Sequence, residues 1–181
     1  EDANKTGLKK IIRLLQRTNT DSERNGLAMK KRLLIIGASG HGKVVADIAI
    51  KMNKWRTVSF LDDNESIKSC MGMEVIGKSS DALIYRDEAD FFVAIGDNAT
   101  RKMIQEDLES QGCSFVNLIH PSAIIGSDVE IGVGTAVMAG VVLNGPCKIG
   151  KGCIINTNSR LEHDNVIDDY VHISPGVTLA G

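Results

Sequence analysis

The stretch from Ile119 to Leu179 decides the fold of the C-terminal part of the chain, and it reads IHPSAIIGSDVEIGVGTAVMAGVVLNGPCKIGKGCIINTNSRLEHDNVIDDYVHISPGVTL. An aliphatic residue stands at every sixth position. These residues are Ile119, Ile125, Ile131, Val137, Leu143, Ile149, Ile155, Leu161, Ile167, Ile173 and Leu179. The residues two positions before them, from Ala123 onward, are small or β-branched, with Asn165 as the largest exception.

A six-residue period belongs to neither a helix, which repeats every ~3.6 residues, nor an ordinary strand, whose side chains simply alternate. A solenoid produces it, because each hexad forms a short strand and a turn on one face of a coil and sends its aliphatic side chain to the axis. We therefore predict a solenoid of short strands over residues 117–181.

The preceding part of the chain reads as alternating strands and helices. Arg32–Ile36 is a continuous apolar run of the kind that a parallel strand buried on both faces requires. The glycine-rich stretch Gly37–Gly42 follows it. We predict further strands at residues 58–61 and 91–95, a helix with Val44, Val45, Ile48 and Met52 on one face, and a helix over residues 100–111 that ends at Gly112. This order predicts a small doubly wound parallel sheet in a domain of residues 29–116.

Composition excludes several classes of protein. The 181-residue chain has a net charge of −2 and shows no single basic face, which argues against nucleic acid as its main partner. No apolar run approaches the ~20 residues of a membrane span. The 4 cysteines form no C-x-x-C pair, which indicates reduced thiols in a cytosolic compartment and argues against structural zinc.

Five short motifs occur in order along the chain together with the hexads. They are Gly37-Ala-Ser-Gly-His-Gly42, Phe60-Leu-Asp-Asp63, Ala94-Ile-Gly-Asp-Asn98, Asn117-Leu-Ile-His-Pro121 and Leu161-Glu-His-Asp164. With these motifs, residues 31–181 resemble the hexapeptide-repeat transferases. Within them the chain resembles the sialic-acid O-acetyltransferase type of sugar acetyltransferase, and above all the bacterial UDP-N-acetylbacillosamine N-acetyltransferases. The resemblance implies a Rossmann-like α/β N-terminal domain and a left-handed parallel β-helix with three hexads per turn. Family members continue for several more coils, so the β-helix is expected to be truncated at Gly181.

The glycine-rich stretch predicts a ligand site. Its glycines lie between a strand and a helix, where the backbone can approach a ligand at the helix N-terminus. Their order differs from the G-x-G-x-x-G fingerprint of dinucleotide sites, which disfavours an NAD-dependent oxidoreductase. Asp62 and Asp63 end the next strand, where carboxylates commonly accept hydrogen bonds from sugar hydroxyls. The resemblance implies that this domain holds a UDP-sugar through Ser39, Gly40, His41, Asp62, Asp63 and Gly96.

His163 is the candidate general base. Because Leu161 points inward in the hexad pattern, His163 lies in the turn that follows and is accessible. Acyl transfer to an amine needs a base that takes the amine proton, and a histidine near neutrality suits that task. A neighbouring carboxylate can orient the imidazole and stabilise its cation. The resemblance implies that His163 is the base and Asp164 the carboxylate.

His172 lies nine residues after His163, which is half of the implied 18-residue coil. The two side chains are therefore expected on opposite sides of the β-helix. The family is trimeric and binds acetyl-CoA between neighbouring β-helices, which makes His172 a candidate for contacting the coenzyme of an adjacent chain. The resemblance implies a homotrimer that uses acetyl-CoA and a UDP-amino-sugar and needs no metal.

The function implied by the resemblance is acetyl transfer from acetyl-CoA to the amino group of a UDP-amino-dideoxy-sugar. The product would be a diacetamido trideoxyhexose for protein glycosylation. One alternative is an O-acetyltransferase that acts on a sialic acid or another sugar. The other is a nucleotide-sugar-binding or oligomerisation module whose CoA site is incomplete.

Residues 1–28 are expected to be a linker or tether. Within them Leu8, Ile11, Ile12 and Leu15 have helical spacing and are surrounded by basic residues. In some family members the acetyltransferase is fused behind a membrane-bound phosphosugar transferase. The resemblance therefore implies a cytoplasmic location, at the inner face of the membrane when such a domain lies upstream.

Overall fold

The computed structural model describes residues 30–181, so the predicted linker or tether of residues 1–28 lies outside the described residues. The N-terminal part contains a parallel sheet with the strand order β2-β1-β5-β6. Its strands are β1 (Lys30–Ile36), β2 (Trp55–Leu61), β5 (Ala89–Val93) and β6 (Ser114–Phe115). The helices are α1 (Gly40–Met52) and α2 (Asn98–Ser110). Between β2 and β5 lie a hairpin of β3 (Ser69–Cys70) and β4 (Met73–Glu74) and a 3-10 helix (Ser79–Tyr85), none of which the sequence pattern predicts.

The central strand β1 is buried on both faces, as its apolar run predicts. Leu33 and Ile35 belong to the hydrophobic core on one side of the sheet, and Leu34 and Ile36 to the core on the other side. Two covered faces are the environment of a parallel sheet with helices on both sides. The prediction of a Rossmann-like α/β domain is therefore confirmed.

The helices differ from the prediction in two details. In α1, Val45 and Ile48 are buried, but Val44 is 44% exposed and so lies outside the packed face. The second helix, α2, begins at Asn98, because the Asp97 side chain accepts a hydrogen bond from the Thr100 N–H and caps it there. Neither helix in residues 30–181 has the length and apolar run that a membrane span requires.

The C-terminal part consists of eleven short parallel strands, one in each hexad. They are β7 (Leu118–Ile119), β8 (Ile124–Ile125), β9 (Val129–Ile131), β10 (Ala136–Val137), β11 (Val142–Leu143), β12 (Cys147–Ile149), β13 (Ile154–Ile155), β14 (Arg160–Leu161), β15 (Val166–Ile167), β16 (His172–Ile173) and β17 (Thr178–Leu179).

These strands stack into three sheets. We call β7, β10, β13 and β16 the first face, β8, β11, β14 and β17 the second face, and β9, β12 and β15 the third face. Each strand pairs with the strand 18 residues away, as Val137 does with Ile155, so one coil contains three hexads. A parallel β-helix is therefore confirmed, whereas its left-handed sense stays a prediction.

The hexad residues fill the interior of this β-helix. Val137, Leu143, Ile155 and Leu161 are fully buried in the middle coils, while Ile125 in the first coil is 36% exposed. The small residues two positions earlier share the interior: Thr135, Val141, Cys153 and Ser159 are also fully buried. The six-residue period thus arises from one inward aliphatic position per strand. The residues two positions earlier are small because the interior of the coil is narrow.

The N-terminal domain packs against the first face. The outward residues Leu118, Ala136 and Ile154 of this face are at most 1% exposed, whereas Ile124 on the second face is 64% and Val166 on the third face 70% exposed. The α1 residues Val45 and Ile48 belong to the same hydrophobic cluster as the first face. The first face is therefore the side of the β-helix that the N-terminal domain covers.

Candidate active site

The strand order of the N-terminal sheet creates a crevice at its carboxyl edge. From β1 the chain crosses to β2 on one side, and it later returns to β5 on the other side of β1. The loops after β1 and β5 therefore meet, and a Cβ added to Gly37 would lie 3.0 Å from the carbonyl oxygen of Ala94. Ligands of open α/β sheets bind at such a reversal of strand order. The predicted residues Ser39 and Gly96 belong to these two loops, and Gly40 is the first residue of the helix that follows the first loop.

The glycines of the first loop bring α1 close to the sheet and leave its N-terminus open. Gly37 has a φ of +104°, and a Cβ on Gly42 would lie 2.1 Å from the Gly37 carbonyl oxygen, so no side chain fits there. Apart from the chain neighbours of Gly40 and the backbone of α1 itself, no described atom lies within 4 Å of a Cβ added to Gly40. Ser39 makes no side-chain cap, and the first turn of α1 holds no acidic residue. The free N–H groups and the helix dipole therefore favour an anionic ligand.

Asp62 and Asp63 both hold loops in place at this edge. Asp62 accepts a hydrogen bond from the Ala38 N–H at 2.7 Å, which ties the glycine-rich loop to the end of β2. Asp63 accepts hydrogen bonds from the backbone N–H of Ser79 at 2.9 Å and from its hydroxyl at 2.7 Å. These bonds lower the pKa of Asp63. That either carboxylate binds substrate stays a prediction.

His41 projects from the first turn of α1 towards charged neighbours. Burial, together with the positive charges of Arg101 and His172, lowers the pKa of His41 to about 4. Its Nε2 is buried and finds no hydrogen-bond partner among residues 30–181. His41 is therefore a neutral imidazole at neutral pH, with a ring nitrogen left unpaired beside the crevice.

His172 lies on β16 of the first face, on the side that the N-terminal domain covers. Its Nε2 accepts a hydrogen bond from the Asn156 amide at 3.0 Å, and burial lowers its pKa. The structure thus places His172 near His41 of the same chain. Its contact with the coenzyme of an adjacent chain stays a prediction.

His163 occupies an exposed turn between β14 and β15, at the corner where the second and third faces meet. Its Nδ1 lies 2.7 Å from Oδ2 of Asp164, and 62% of its side chain is exposed. Because an ionised carboxylate can only accept, Nδ1 is the donor, and in the neutral imidazole Nε2 then carries the lone pair. Glu162 instead accepts from the amide of Asn144 at 2.8 Å. The pair of His163 and Asp164 therefore has the geometry of a base and its orienting carboxylate.

Within one chain the crevice and His163 lie apart. The N-terminal domain covers the first face, and His163 stands on the corner formed by the other two faces. The structure therefore brings together Ser39, Gly40, His41, Asp62 and Gly96 near the crevice, with His172 beside His41, and it leaves His163 and Asp164 on the far side of the β-helix.

Comparison with known proteins assigns the chain to a family. Residues 32–108 match the family described as PglD N-terminal domain. The acetyltransferase domain of PglB from Neisseria gonorrhoeae FA1090 has a similar structure, with a TM-score of 0.80 and 38% sequence identity over 83% of this chain and 74% of that chain. The chain belongs to the PglD family of sugar acetyltransferases.

Two further similar proteins agree with this assignment. A mutant of perosamine N-acetyltransferase from Caulobacter crescentus, solved in complex with CoA and GDP-perosamine, has a TM-score of 0.79 and 35% identity over 86% of this chain and 74% of that chain. UDP-N-acetylbacillosamine N-acetyltransferase of Bacillus subtilis is 38% identical over 114 residues, which are 60% of this chain and 52% of that protein. The matched part thus spans about half the length of this curated relative. The resemblance inferred from the motifs and hexads is confirmed.

The sequence motifs do not identify Arg101 of α2, which supports one of the two loops of the crevice. It is 1% exposed, and its guanidinium lies under the loop after β5 that carries Gly96. Burial lowers the pKa of Arg101. One feature of the sequence indicates a special role for Arg101. It stands in the first turn of α2, where the helix dipole disfavours a cation, so a cation at this place indicates compensating contacts elsewhere in the fold.

A cavity of about 670 Å³ lies on the third face of the β-helix, away from the crevice. Glu130, Asp168 and Asp169 line it together with Lys148. Three carboxylates against one ammonium group disfavour an anionic ligand such as a diphosphate or a coenzyme A. Despite its size, this cavity is therefore a poor candidate for the binding site of a nucleotide-sugar or of coenzyme A.

Proposed function

We propose that this chain transfers an acetyl group from acetyl-CoA to the amino group of a UDP-amino-dideoxy-sugar of the UDP-N-acetylbacillosamine type. The observation that carries the proposal is the exposed pair of His163 and Asp164, with Nδ1 and Oδ2 2.7 Å apart. Support comes from the names of the relatives, one of which is a UDP-N-acetylbacillosamine N-acetyltransferase and another a GDP-perosamine N-acetyltransferase from Escherichia coli O157:H7.

The chemistry assigned to His163 is that of a general base. The amine nitrogen attacks the thioester carbon, Nε2 of His163 takes the proton that the nitrogen loses, and the C–N bond forms as the C–S bond breaks. The imidazolium then returns its proton to the departing thiolate, so that an amide and free CoA leave the site. Asp164 holds the imidazole through Nδ1 and stabilises its positive charge during the reaction.

The nucleotide-sugar is proposed to bind in the crevice of the N-terminal domain. Its diphosphate would accept from the free N–H groups at the start of α1 near Ser39 and Gly40, and its hydroxyls would reach Asp62. Because His163 of the same chain lies across the β-helix, the amino group would meet His163 of a neighbouring chain. This requirement supports the proposed homotrimer, with acetyl-CoA between adjacent β-helices and His172 as a candidate contact to it.

The cellular setting is also part of the proposal. The product would serve glycan synthesis or protein glycosylation on the cytoplasmic side of the membrane. An upstream phosphosugar transferase domain would hold the enzyme at the membrane surface.

A thiol-release assay with acetyl-CoA tests this function. UDP-linked and GDP-linked 4-amino sugars and free sialic acid are offered as acceptors, and the products are identified by mass spectrometry. We expect thiol release and an N-acetylated product with the UDP-amino-sugar. Thiol release with sialic acid alone would favour the O-acetyltransferase. Thiol release with the GDP-sugar alone would show that the substrate is a GDP-sugar and not a UDP-sugar. Calorimetric binding of the UDP-sugar without binding of acetyl-CoA and without release would favour a binding module.

A further inference from the structure

The loop after β5 is held from below by the side chain of Arg101. Its Nη1 donates to the carbonyl oxygen of Ile95 at 2.9 Å and to that of Gly96 at 3.0 Å. Its Nη2 donates to the side-chain oxygen of Asn98 at 2.8 Å. Three acceptors in four consecutive residues thus face one guanidinium, which fixes the conformation of this loop.

The same guanidinium also binds the β-helix. Its Nε donates to the carbonyl oxygen of Gly152 and its Nη2 to that of Tyr170, both at 2.7 Å. Gly152 and Tyr170 lie at equivalent positions of successive coils, at the corner between the third and first faces. One buried side chain therefore joins the crevice loop of one domain to a corner of the other domain.

These contacts determine where the peptide N–H groups of the loop point. In a planar trans peptide the C=O of one residue and the N–H of the next point in opposite directions. Because the carbonyls of Ile95 and Gly96 point to the guanidinium, the N–H groups of Gly96 and Asp97 point away from it. Gly96 is exposed, with no described atom within 4 Å of an added Cβ. Two successive N–H groups on an open side of a loop suit an anionic oxygen.

We propose that Arg101 is a positioning residue for the nucleotide-sugar, which it serves by aiming the N–H groups of Gly96 and Asp97 at the diphosphate and by fixing this loop to the β-helix. The inference rests on the proposed function. A buried cation that bonds only to neutral oxygens is costly to desolvate. A role in ligand positioning accounts for a guanidinium at this place, since only its planar fork reaches all five acceptors.

Calorimetric titration of the 181-residue chain with UDP-N-acetylbacillosamine and, separately, with acetyl-CoA tests this role. Arg101→Lys keeps the charge but loses the fork. We expect it to weaken nucleotide-sugar binding by ~10-fold or more and to leave acetyl-CoA binding within about twofold. Lys151→Met is the matched control, because Lys151 pairs with Glu106 and Glu109 of α2 across the same domain contact, each at 3.4 Å, without contacting the loop. It should change neither affinity.

The outcomes separate this inference from the proposed function. If the wild-type chain binds no nucleotide-sugar, the proposed function fails and the inference falls with it. If the wild-type chain binds and a folded Arg101→Lys variant binds equally well, or loses affinity for both ligands alike, only the inference is overturned. Should Arg101→Lys fail to fold, Asn98→Ala decides, because it removes one exposed acceptor of the same guanidinium. A weaker nucleotide-sugar affinity supports the inference, and unchanged affinity overturns it.

Discussion

Three histidines of this chain have different surroundings, which suit them to different tasks. His163 is exposed and donates from Nδ1 to Asp164, which leaves Nε2 available as a base. His172 is half-buried and accepts from Asn156. His41 is packed close to Arg101, and its pKa is lowered to about 4. Residue type alone therefore does not identify the base, whereas exposure and the hydrogen-bond partner do.

The lowered pKa of His41 predicts a loss of stability in mild acid. Its ordinary value is 6.5 and its value in the fold is about 4, so the unfolded chain binds the proton more tightly. The free energy of unfolding therefore falls as the pH drops below about 6.5, by ~2 kcal/mol between pH 7 and pH 5 from this residue. The pKa values of Asp63 and Asp97 lie below their usual 3.8, so these groups stay ionised in this window.

Urea unfolding of the wild type and of His41→Asn at the two pH values measures this effect. The variant should lose most of the pH dependence and keep a smaller part of the same sign, because burial also lowers the pKa of His172. An equal loss of stability in both proteins between pH 7 and pH 5 would show that His41 does not hold a lowered pKa.

Among the elements, the N-terminus of α1 is the one that the proposed ligand would meet. Gly40→Glu places a carboxylate in its first turn, where there is room for a side chain and where no acid stands. The helix dipole should make this change neutral or stabilising by up to ~1 kcal/mol. Nucleotide-sugar binding should weaken by ~10-fold or more, because the new charge repels the diphosphate.

Thermal unfolding together with calorimetric titration measures both effects of Gly40→Glu, and Gly40→Ala serves as the uncharged control. If Gly40→Glu binds the nucleotide-sugar as tightly as Gly40→Ala does, the diphosphate does not bind at the start of α1.

The packing at the corner between the third and first faces predicts that alanine substitutions at two glycines reduce stability by different amounts. Gly152 has a φ of +62°, and a Cβ there would lie 2.3 Å from the Tyr170 ring. Gly176, at another corner, has a φ of +71° with no described atom within 4 Å of an added Cβ. Gly176→Ala should cost ~1 kcal/mol for the left-handed backbone alone. Gly152→Ala should cost ~1–3 kcal/mol more, because the ring must move.

Midpoints of urea unfolding for the two variants give this difference directly. Equal midpoints would mean that the Tyr170 ring moves aside freely and that the corner between the third and first faces is less tightly packed than the structure indicates.

The elements that the sequence predicts well are those whose side chains follow a period. The hexads identify the β-helix because each short strand has one inward position, occupied for example by Val137, Leu143 and Ile155. The run at Arg32–Ile36 identifies the buried central strand for a similar reason. The corners are harder to predict, because the residues with a left-handed backbone conformation there include Asp164 and Tyr170 as well as glycines. Their position follows from the 18-residue coil and not from residue type.

The candidate site was predictable where a motif carries it and not where tertiary contacts make it. The glycine-rich loop and His163 stand in two of the five short motifs of the sequence. Arg101 stands outside those motifs, and its five acceptors come from residues 95–98 and from two turns of the β-helix. The position of His172 near His41 likewise depends on which face the N-terminal domain covers, and the hexad period is identical on all three faces.

For the whole molecule, the separation of the crevice from His163 predicts sites shared between chains. His163→Gln removes the base and Gly40→Glu weakens nucleotide-sugar binding by ~10-fold or more. At a nucleotide-sugar concentration well below KM, each protein alone should therefore keep at most about a tenth of the wild-type activity. Unfolding and refolding a 1:1 mixture should restore about a quarter of the wild-type activity, because about one site in four then combines two intact parts. Thiol release from the mixture measures this. No recovery in refolded mixed trimers would mean that each chain completes its own site.

In the proposed mechanism His163 takes the amine proton during acetyl transfer, and the other site residues act through this step. The most direct measurement is the steady-state rate of His163→Gln with saturating acetyl-CoA and UDP-amino-sugar, alongside calorimetric binding of the sugar nucleotide. We predict a fall in kcat of ~10²–10⁴-fold with nucleotide-sugar affinity within about twofold of the wild type. A variant that binds the sugar nucleotide and keeps the wild-type kcat would show that His163 is not the base.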